Sequence, residues 1–417
     1  MQQPSSAVSI KRTFAFNSIN KVGGFLGALG IRPFKLDAQK MLAKVCKKVN
    51  YKGEMPPQVL VGLEKLIASI NQEAKVNTFG SLALKNVLER SLYNRLKVEQ
   101  ELAKNPSIEQ VPITRPIFII GMPRTGTTIL HALLQQDPMH RAPLAWECLL
   151  PYPVSTPATY ANNPQLQTIQ KEFSQLFQLV PDFQKKHYLE ANSPQECLGI
   201  NALDFNSFQT AAQVYIPSYM QWFNEESSQL QTMQFHKRFL QYLQSGGVPS
   251  EHWLLKSPVH LLRLKEIFEV YPDACIIMTH RHPAKVVPSA ASLVSSVRSL
   301  YSDQESAEQT GTEQAAIWSS YFERFLAARQ ELNKEEQIID LRFEDFVQNQ
   351  LGVVQQIYDH FGWDLSSAAK SKMQQFLAQN PKDKHGAHQY TLQDFGLTQQ
   401  GIEQQFKTYI DFLEQLS

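Results

Sequence analysis

The residues best equipped for chemistry lie in one run, Ile117-Phe-Ile-Ile-Gly121-Met-Pro123-Arg124-Thr125-Gly126-Thr127-Thr128. Four apolar residues lead into a loop with glycine at both ends, and an amphipathic segment follows it directly. The loop has the phosphate-cradling pattern G-x-x-x-x-G with one change. Threonine stands at position 127, where a nucleotidase carries the lysine of that motif. Glycines at both ends let the backbone curl until successive N–H groups point inward, and the helix that follows adds its positive N-terminal end. Such a loop holds a phosphate-like anion. Without the lysine it is poorly equipped for the γ-phosphate of ATP. Arg124, inside the loop, brings positive charge from another direction; a plain glycine turn with a capping threonine would leave that arginine unexplained.

Two further segments carry suitable chemistry. In Leu254-Leu255-Lys256-Ser257-Pro258 a lysine ends an apolar run and Ser-Pro opens a helix. That placement aims an ammonium group into a cleft, or else simply lets it reach solvent. In Thr279-His280-Arg281-His282-Pro283 an arginine leaves a strand end, and Ser289 lies eight residues beyond it, about two turns along the next helix. A forked guanidinium with a hydroxyl suits an additional phosphate. His280 and His282 flank an arginine with no carboxylate beside them, so no metal site is expected.

The elements that must position these groups alternate strand and helix. Strands are predicted at Ile117 to Ile120, at Trp253 to Leu255, at Ala274 to Thr279 and at Ile338 to Arg342, with helices over Thr127 to Gln136 and Val259 to Tyr271. Short, continuously apolar strands separated by helices imply a parallel sheet covered on both faces. Ligands of such sheets bind beyond the carboxyl ends of the strands. All three segments follow a strand directly, so topology alone brings them to one edge. Before the first strand, residues 36 to 105 read as helices, separated by Pro56-Pro57 and by a turn around Asn77 to Gly80. The expected organisation is a helical cap over residues 1–111 and an α/β domain over 112–417, with a helical insertion at about 155–250. The insertion is rich in glutamine and aromatic residues, most of them expected in helix-packing core and a minority in an acceptor pocket.

Composition narrows the partners. A chain of 417 residues with 43% hydrophobic and 19% charged residues is that of an ordinary globular protein. A net charge of +1 argues against coating nucleic acid. Four widely spaced cysteines without a C-x-x-C pair argue against a structural zinc site or a disulfide framework and fit a reducing compartment. The stretch Phe14 to Ile31 is interrupted by Asn17, Asn20, Lys21 and four glycines, too polar for a membrane span. A cytoplasmic chain without stable membrane insertion is expected, in preference to an interfacial contact through that stretch.

Taken in order, these residues resemble the sulfotransferases that use 3′-phosphoadenosine-5′-phosphosulfate (PAPS), in the branch with tyrosylprotein sulfotransferases and many bacterial sulfotransferases. The likeness covers residues 112 to 300 and implies a P-loop-type α/β fold. Pro123, Arg124, Thr125, Gly126, Thr127 and Thr128 are similar to that family's 5′-phosphosulfate loop. Arg281 and Ser289 are similar to the pair that holds the 3′-phosphate. Arg342-Phe343-Glu344-Asp345-Phe346 extends the likeness, with phenylalanine where tyrosine is usual. His385 to Tyr390 and Asp394 to Leu397 resemble the closing segment of related bacterial chains, expected near the nucleotide.

The resemblance makes the absent lysine intelligible, because this donor has no β–γ pair to clasp with magnesium. Sulfuryl transfer resembles phosphoryl transfer, with a loose in-line transition state governed by positioning and charge stabilisation. Arg124 and Lys256 are the catalytic cations that it implies, with PAPS as co-substrate and no metal. The same branch places a catalytic glutamate near this distance after the loop arginine, which points to Glu147 as base, with Glu196 and His260 as competitors. The acceptor is then a small molecule or a peptide bearing a hydroxyl or amine. Two rival readings are a phosphotransferase resembling a P-loop kinase and a non-catalytic nucleotide-binding scaffold.

Overall fold

The protein is described by a computed structural model covering residues 12–28, 35–186, 189–381 and 390–416. Its centre is a five-stranded, wholly parallel sheet in the order β2-β3-β1-β4-β5. The strands are β1 (Ile117–Ile120), β2 (His140–Arg141), β3 (His252–Lys256), β4 (Cys275–His280) and β5 (Ile338–Arg342). The four apolar runs are all strands. β2 is additional: two residues long, it pairs His140 with His252 and Arg141 with Trp253.

Every residue of β1, β3 and β4 is buried. This is why these strands are continuously apolar rather than alternating. Alternation survives instead as a division between faces. Phe118 and Ile120 enter the large core on one side, while Ile117 and Ile119 enter a second cluster with Leu130, Leu133 and Leu134 on the other.

Among the described residues, four α-helices precede β1: α1 (Phe14–Ala28), α2 (Ala38–Val49), α3 (Pro57–Gln72) and α4 (Thr78–Lys104). Asp37 caps α2 through the Lys40 N–H, and Asn77 caps α4 through the Gly80 N–H. Apolar side chains of α2, α3 and α4 belong to the same core cluster as Phe118. Beyond β1 come α5 (Thr127–Leu134) and α6 (Ala145–Leu149).

The insertion is helical: α7 (Pro157–Tyr160), α8 (Pro164–Leu179), α9 (Pro181–Lys186), α10 (Cys197–Asn201), α11 (Gln209–Gln213), α12 (Pro217–Glu225) and α13 (Gln229–Gln244). Its Phe205, Phe208, Tyr219, Trp222, Phe223, Phe235, Phe239 and Tyr242 are buried in the core; Tyr188 lies outside the described residues.

The remaining elements that bear on the site are α14 (Leu264–Val270), α15 (Pro283–Tyr301), α16 (Ala307–Leu332) and α17 (Phe343–Gln348). The segment after Ser257 opens as a 3-10 turn over Pro258–Arg263 before α14, so the helix predicted from Val259 is two pieces.

Candidate functional site

Because all five strands run parallel, the residues after β1, β3 and β4 emerge at one edge. Ile119 of β1 is in register with Lys256 of β3, and Ile120 with Met278 of β4. The glycine loop therefore sits between Lys256 on one side and Arg281 on the other, where the sequence predicts them.

Loop geometry explains its residue types. Gly121 has φ 151°, and a Cβ there would lie 2.2 Å from Thr279 Oγ1 and 2.7 Å from the Thr279 carbonyl oxygen. No side chain fits. Gly126 has φ 89° and forms the N-cap of α5. Arg124 also has positive φ, 73°, a conformation unfavourable for a residue with a Cβ. Such strain is retained where the surroundings hold it for function, and here it accompanies an exposed guanidinium.

Thr125 behaves differently from its neighbours. Its hydroxyl donates to the Met122 carbonyl at 2.8 Å and lies 2.6 Å from the Thr279 hydroxyl, and the side chain is buried. It braces the loop from below, leaving only its backbone N–H for an anion. Thr127 and Thr128 stand at the start of α5, the first buried and the second exposed.

The second half of the site assembles around Ser289. Its Oγ accepts from Arg124 Nε at 3.1 Å and from the hydroxyl of Tyr390. A serine hydroxyl has two lone pairs and one proton. Both lone pairs are engaged, and its own O–H meets no acceptor among the described residues. That donor suits an anionic oxygen placed beside Arg281. Arg281 Nη1 donates to the Arg124 carbonyl at 3.1 Å, and its guanidinium lies 4.0 Å above the Phe343 ring. Phe343, at the position where the resemblance expects tyrosine, thus acts through its ring face. The same ring borders the loop, since a Cβ on Gly126 would meet Phe343 Cδ2 at 3.2 Å. His388 lies outside the described residues, whereas Tyr390 reaches Ser289.

Lys256 is almost wholly buried and forms an ion pair with Glu196, the N-cap residue of α10, whose side chain is 32% exposed. Below Lys256 lies His131 of α5, whose ring Nε2 is 3.2 Å from the Leu254 carbonyl. Burial, and secondarily the Lys256 charge, push His131 down to about 3. It stays neutral beneath the cation.

Glu147 is 1% exposed in its side chain and fully engaged. Arg141 Nη2 donates to Oε1 at 2.7 Å, the Leu144 N–H donates to Oε2 at 3.0 Å, and the Tyr160 hydroxyl donates to Oε2 at 3.2 Å. The backbone contact closes the first turn of α6, and the Arg141 guanidinium is stacked 4.5 Å from Trp253. Burial, then the Glu147 charge, hold the Tyr160 phenol well above its ordinary pKa, so it remains a donor. His260, the competing base, is enclosed. It lies edge-on to Phe118 at 5.2 Å, neither ring nitrogen has a partner among the described residues, and burial pushes its pKa well below the usual value. It packs in the core between Phe118 and His236 rather than beside the Lys256 ammonium group.

One sequence expectation is corrected here. His280 does have a carboxylate nearby: Asp340 lies 2.8 Å from its Nε2, and the Tyr409 hydroxyl lies 3.1 Å from Nδ1. The cause is the β4–β5 pairing, which sets Met278 opposite Asp340 and His280 opposite Arg342. Asp340 also accepts two bonds from Arg329, each 2.8 Å. A neutral ring with its proton on Nε2 satisfies both partners, and burial lowers the His280 pKa accordingly. His282 is occupied as well, its Nδ1 capping α15 through the Ala284 N–H. Among the described residues no cluster of histidine, cysteine and carboxylate groups could hold a metal ion.

Comparison with known proteins shows the family to which this fold is similar. A model of the sulfotransferase family matches residues 116–367. The omega-hydroxy-beta-dihydromenaquinone-9 sulfotransferases Stf3 of Mycobacterium bovis and Mycobacterium tuberculosis are each 26% identical over 294 residues, covering 68% of this chain and 72% of theirs. Among solved structures, sulfotransferase STF1 from Mycobacterium tuberculosis superposes with a TM-score of 0.79 at 29% identity, over 90% of this chain and 99% of its own. Sulfotransferase STF9 from Mycobacterium avium gives 0.82 at 26% identity, over 90% and 96%.

Proposed function

The chain belongs to the sulfotransferase family, and from that premise we propose that it transfers a sulfuryl group from PAPS to a hydroxyl, or an amine, of a small apolar acceptor. The observation that carries the donor assignment is Ser289. Its lone pairs are filled by Arg124 and Tyr390, its proton is left to donate, and Arg281 lies on the same side of the loop. A donor with a second phosphate, apart from the phosphosulfate, answers to that arrangement.

In this reading the backbone of residues 123–128, with the Thr127 and Thr128 hydroxyls, receives the 5′-phosphosulfate at the N-terminus of α5. Arg281 and Ser289 receive the 3′-phosphate. Arg124 and Lys256 stabilise the charge that develops on the departing phosphate oxygen. The bond from sulfur to the 5′-phosphate oxygen breaks as the acceptor oxygen bonds to sulfur, and the acceptor proton passes to a carboxylate. Adenosine 3′,5′-bisphosphate and a sulfate ester, or a sulfamate from an amine, are the products. Residues 1–111 act as a helical cap on the catalytic domain.

Glu147 is the base in this scheme. The Tyr160 phenol marks the position on Oε2 that an acceptor hydroxyl would take over. A second reading, in which Glu196 is the base, rests on one observation: Glu196 is the more exposed carboxylate and already touches Lys256. An apolar alcohol is favoured as acceptor by the mycobacterial relatives named for an omega-hydroxy dihydromenaquinone.

The test is turnover with labelled PAPS in chelator. Release of adenosine 3′,5′-bisphosphate together with a labelled apolar alcohol supports the assignment. Magnesium-dependent consumption of ATP in its place would support the kinase-like reading, and donor binding without turnover on any acceptor would support the scaffold.

A further inference from the structure

We propose that the outward face of α1 is a docking surface for an anionic lipid bilayer. One side of this helix is fixed to the body of the protein. Phe16 is fully buried in a small cluster with Val180, Phe183 and Leu300. Asn20 Oδ1 accepts from the Phe79 N–H at 2.9 Å. Gly23 approaches α4 so closely that a Cβ would lie 1.9 Å from the Thr78 hydroxyl oxygen. Positions 16, 20 and 23 form one stripe at helical spacing.

The opposite side is largely apolar and, among the described residues, uncovered; Ser18, the polar residue within it, turns its hydroxyl to the Phe14 carbonyl. Phe14 is 88% exposed, Val22 62% and Phe25 68%, with Ile19 at the margin at 38%. At 3.6 residues per turn, Phe14, Val22 and Phe25 fall within an arc of roughly 80° turned away from Phe16 and Gly23. Of six large apolar side chains that stand exposed among the described residues, four are on this helix. Single exposed apolar residues are ordinary, but a contiguous set marks an interaction site.

Charge selects the partner. Residues 1–36 contain Lys11, Arg12, Lys21, Arg32 and Lys35 and neither aspartate nor glutamate, in a chain whose 40 basic and 39 acidic residues balance as a whole. Arg12 turns inward to Asp303 and to the carbonyls of Ser299 and Ser302, whereas Lys21 and Lys35 are exposed. A helix with an aromatic apolar face, carrying Lys21 and flanked in sequence by further basic residues, suits the plane of an anionic membrane. A second copy meeting the same face would bring Lys21 against Lys21, which argues for lipid over self-association. With 15 residues α1 is about 22 Å long, short of a bilayer core of about 30 Å, and no described helix is long and apolar enough to cross a membrane. The helix lies on the surface. This inference stands apart from the reaction proposed above.

The test is co-sedimentation of the full chain with phosphatidylcholine vesicles, with and without about 30% phosphatidylglycerol. Binding to the anionic vesicles is expected, falling severalfold in Lys21→Glu and in about 1 M salt, where screening shortens to about 3 Å. Val22→Ser/Phe25→Ser removes two exposed side chains and is expected to weaken partitioning at least about tenfold, the loss of about 1.4 kcal/mol. Phe25→Trp should shift its emission to the blue on mixing with vesicles, a readout that holds even if the double variant folds poorly. The proposal is overturned if the chain stays in the supernatant, if the double variant pelletes like the parent, or if the tryptophan emission does not move. A concentration-dependent dimer that the double variant abolishes, without vesicle binding, would assign the face to a second copy and overturn it too.

Discussion

Replacing Phe343 by leucine isolates the contribution of the ring beneath Arg281. The guanidinium lies 4.0 Å above that ring, and Arg281 is partly buried. A cation–π contact is worth about 0.5 kcal/mol when exposed and about 2 kcal/mol when desolvated. The contact already holds the guanidinium in place in the free chain, so what Phe343→Leu removes is that positioning; at about 1.4 kcal/mol per tenfold, adenosine 3′,5′-bisphosphate should weaken by at least about 2-fold and at most about 30-fold. Leucine keeps apolar volume beside Gly126 and removes only the π face, while Phe343→Tyr keeps the face and should bind like the parent. The assay is isothermal titration of each variant with the bisphosphate and, as control, with adenosine 5′-phosphate, which offers Arg281 no 3′-phosphate. The control affinity should hardly change. In an Arg281→Ala background Phe343→Leu should cost almost nothing further, since the partner is gone. Unchanged bisphosphate affinity in Phe343→Leu would refute the reasoning. Equal losses for both ligands would refute it as well, because they would mean a collapsed loop.

Four further outcomes are expected. Lys256→Ala should lower kcat by roughly 10²- to 10³-fold while bisphosphate affinity, read by titration, changes far less, because its role is charge stabilisation during transfer. Glu147→Gln should lower single-turnover transfer at least about 10²-fold with donor binding intact, and Glu196→Gln much less; the reverse order would make Glu196 the base. Tyr390→Phe should weaken the bisphosphate severalfold by releasing one hydrogen bond on Ser289. Acid should destabilise the fold through buried histidines: burial lowers His131 and His236 to about 3 and His140 to about 4. Below an unfolded value of about 6.5 the unfolded chain binds protons that the native chain refuses, so stability falls as pH drops from about 6.5 towards 4, by up to about 1.4 kcal/mol per pH unit for each histidine. Urea titrations at pH 5 and pH 7 that gave equal stability would contradict this.

Much of the sheet was legible because burial on both faces forces continuous apolar runs, and Ile117–Ile120 and Ile338–Arg342 have the bounds that their residues predict. β2 was not legible: a two-residue strand carries no period, and its pairing depends on His252 more than a hundred residues later. At the site, local signals reached as far as local geometry does. The glycines, Arg281 and Ser289 are each marked by their distance from a strand end. The Phe343 ring beneath Arg281, Asp340 beside His280 and Glu196 on Lys256 come from strands and helices joined only by tertiary packing. Thr125 illustrates the same limit from the other side, since nothing in P-R-T-G-T-T tells which hydroxyl turns inward.

Isothermal titration in chelator, comparing adenosine 3′,5′-bisphosphate with adenosine 5′-phosphate on the parent chain and on Arg281→Ala, tests the two-phosphate donor site most directly. The account predicts that the parent prefers the bisphosphate by at least about tenfold, the value of one charge-assisted hydrogen bond, and that Arg281→Ala abolishes most of that preference. Equal affinity of the parent for the two ligands, or tighter binding of magnesium ATP than of either, would contradict it.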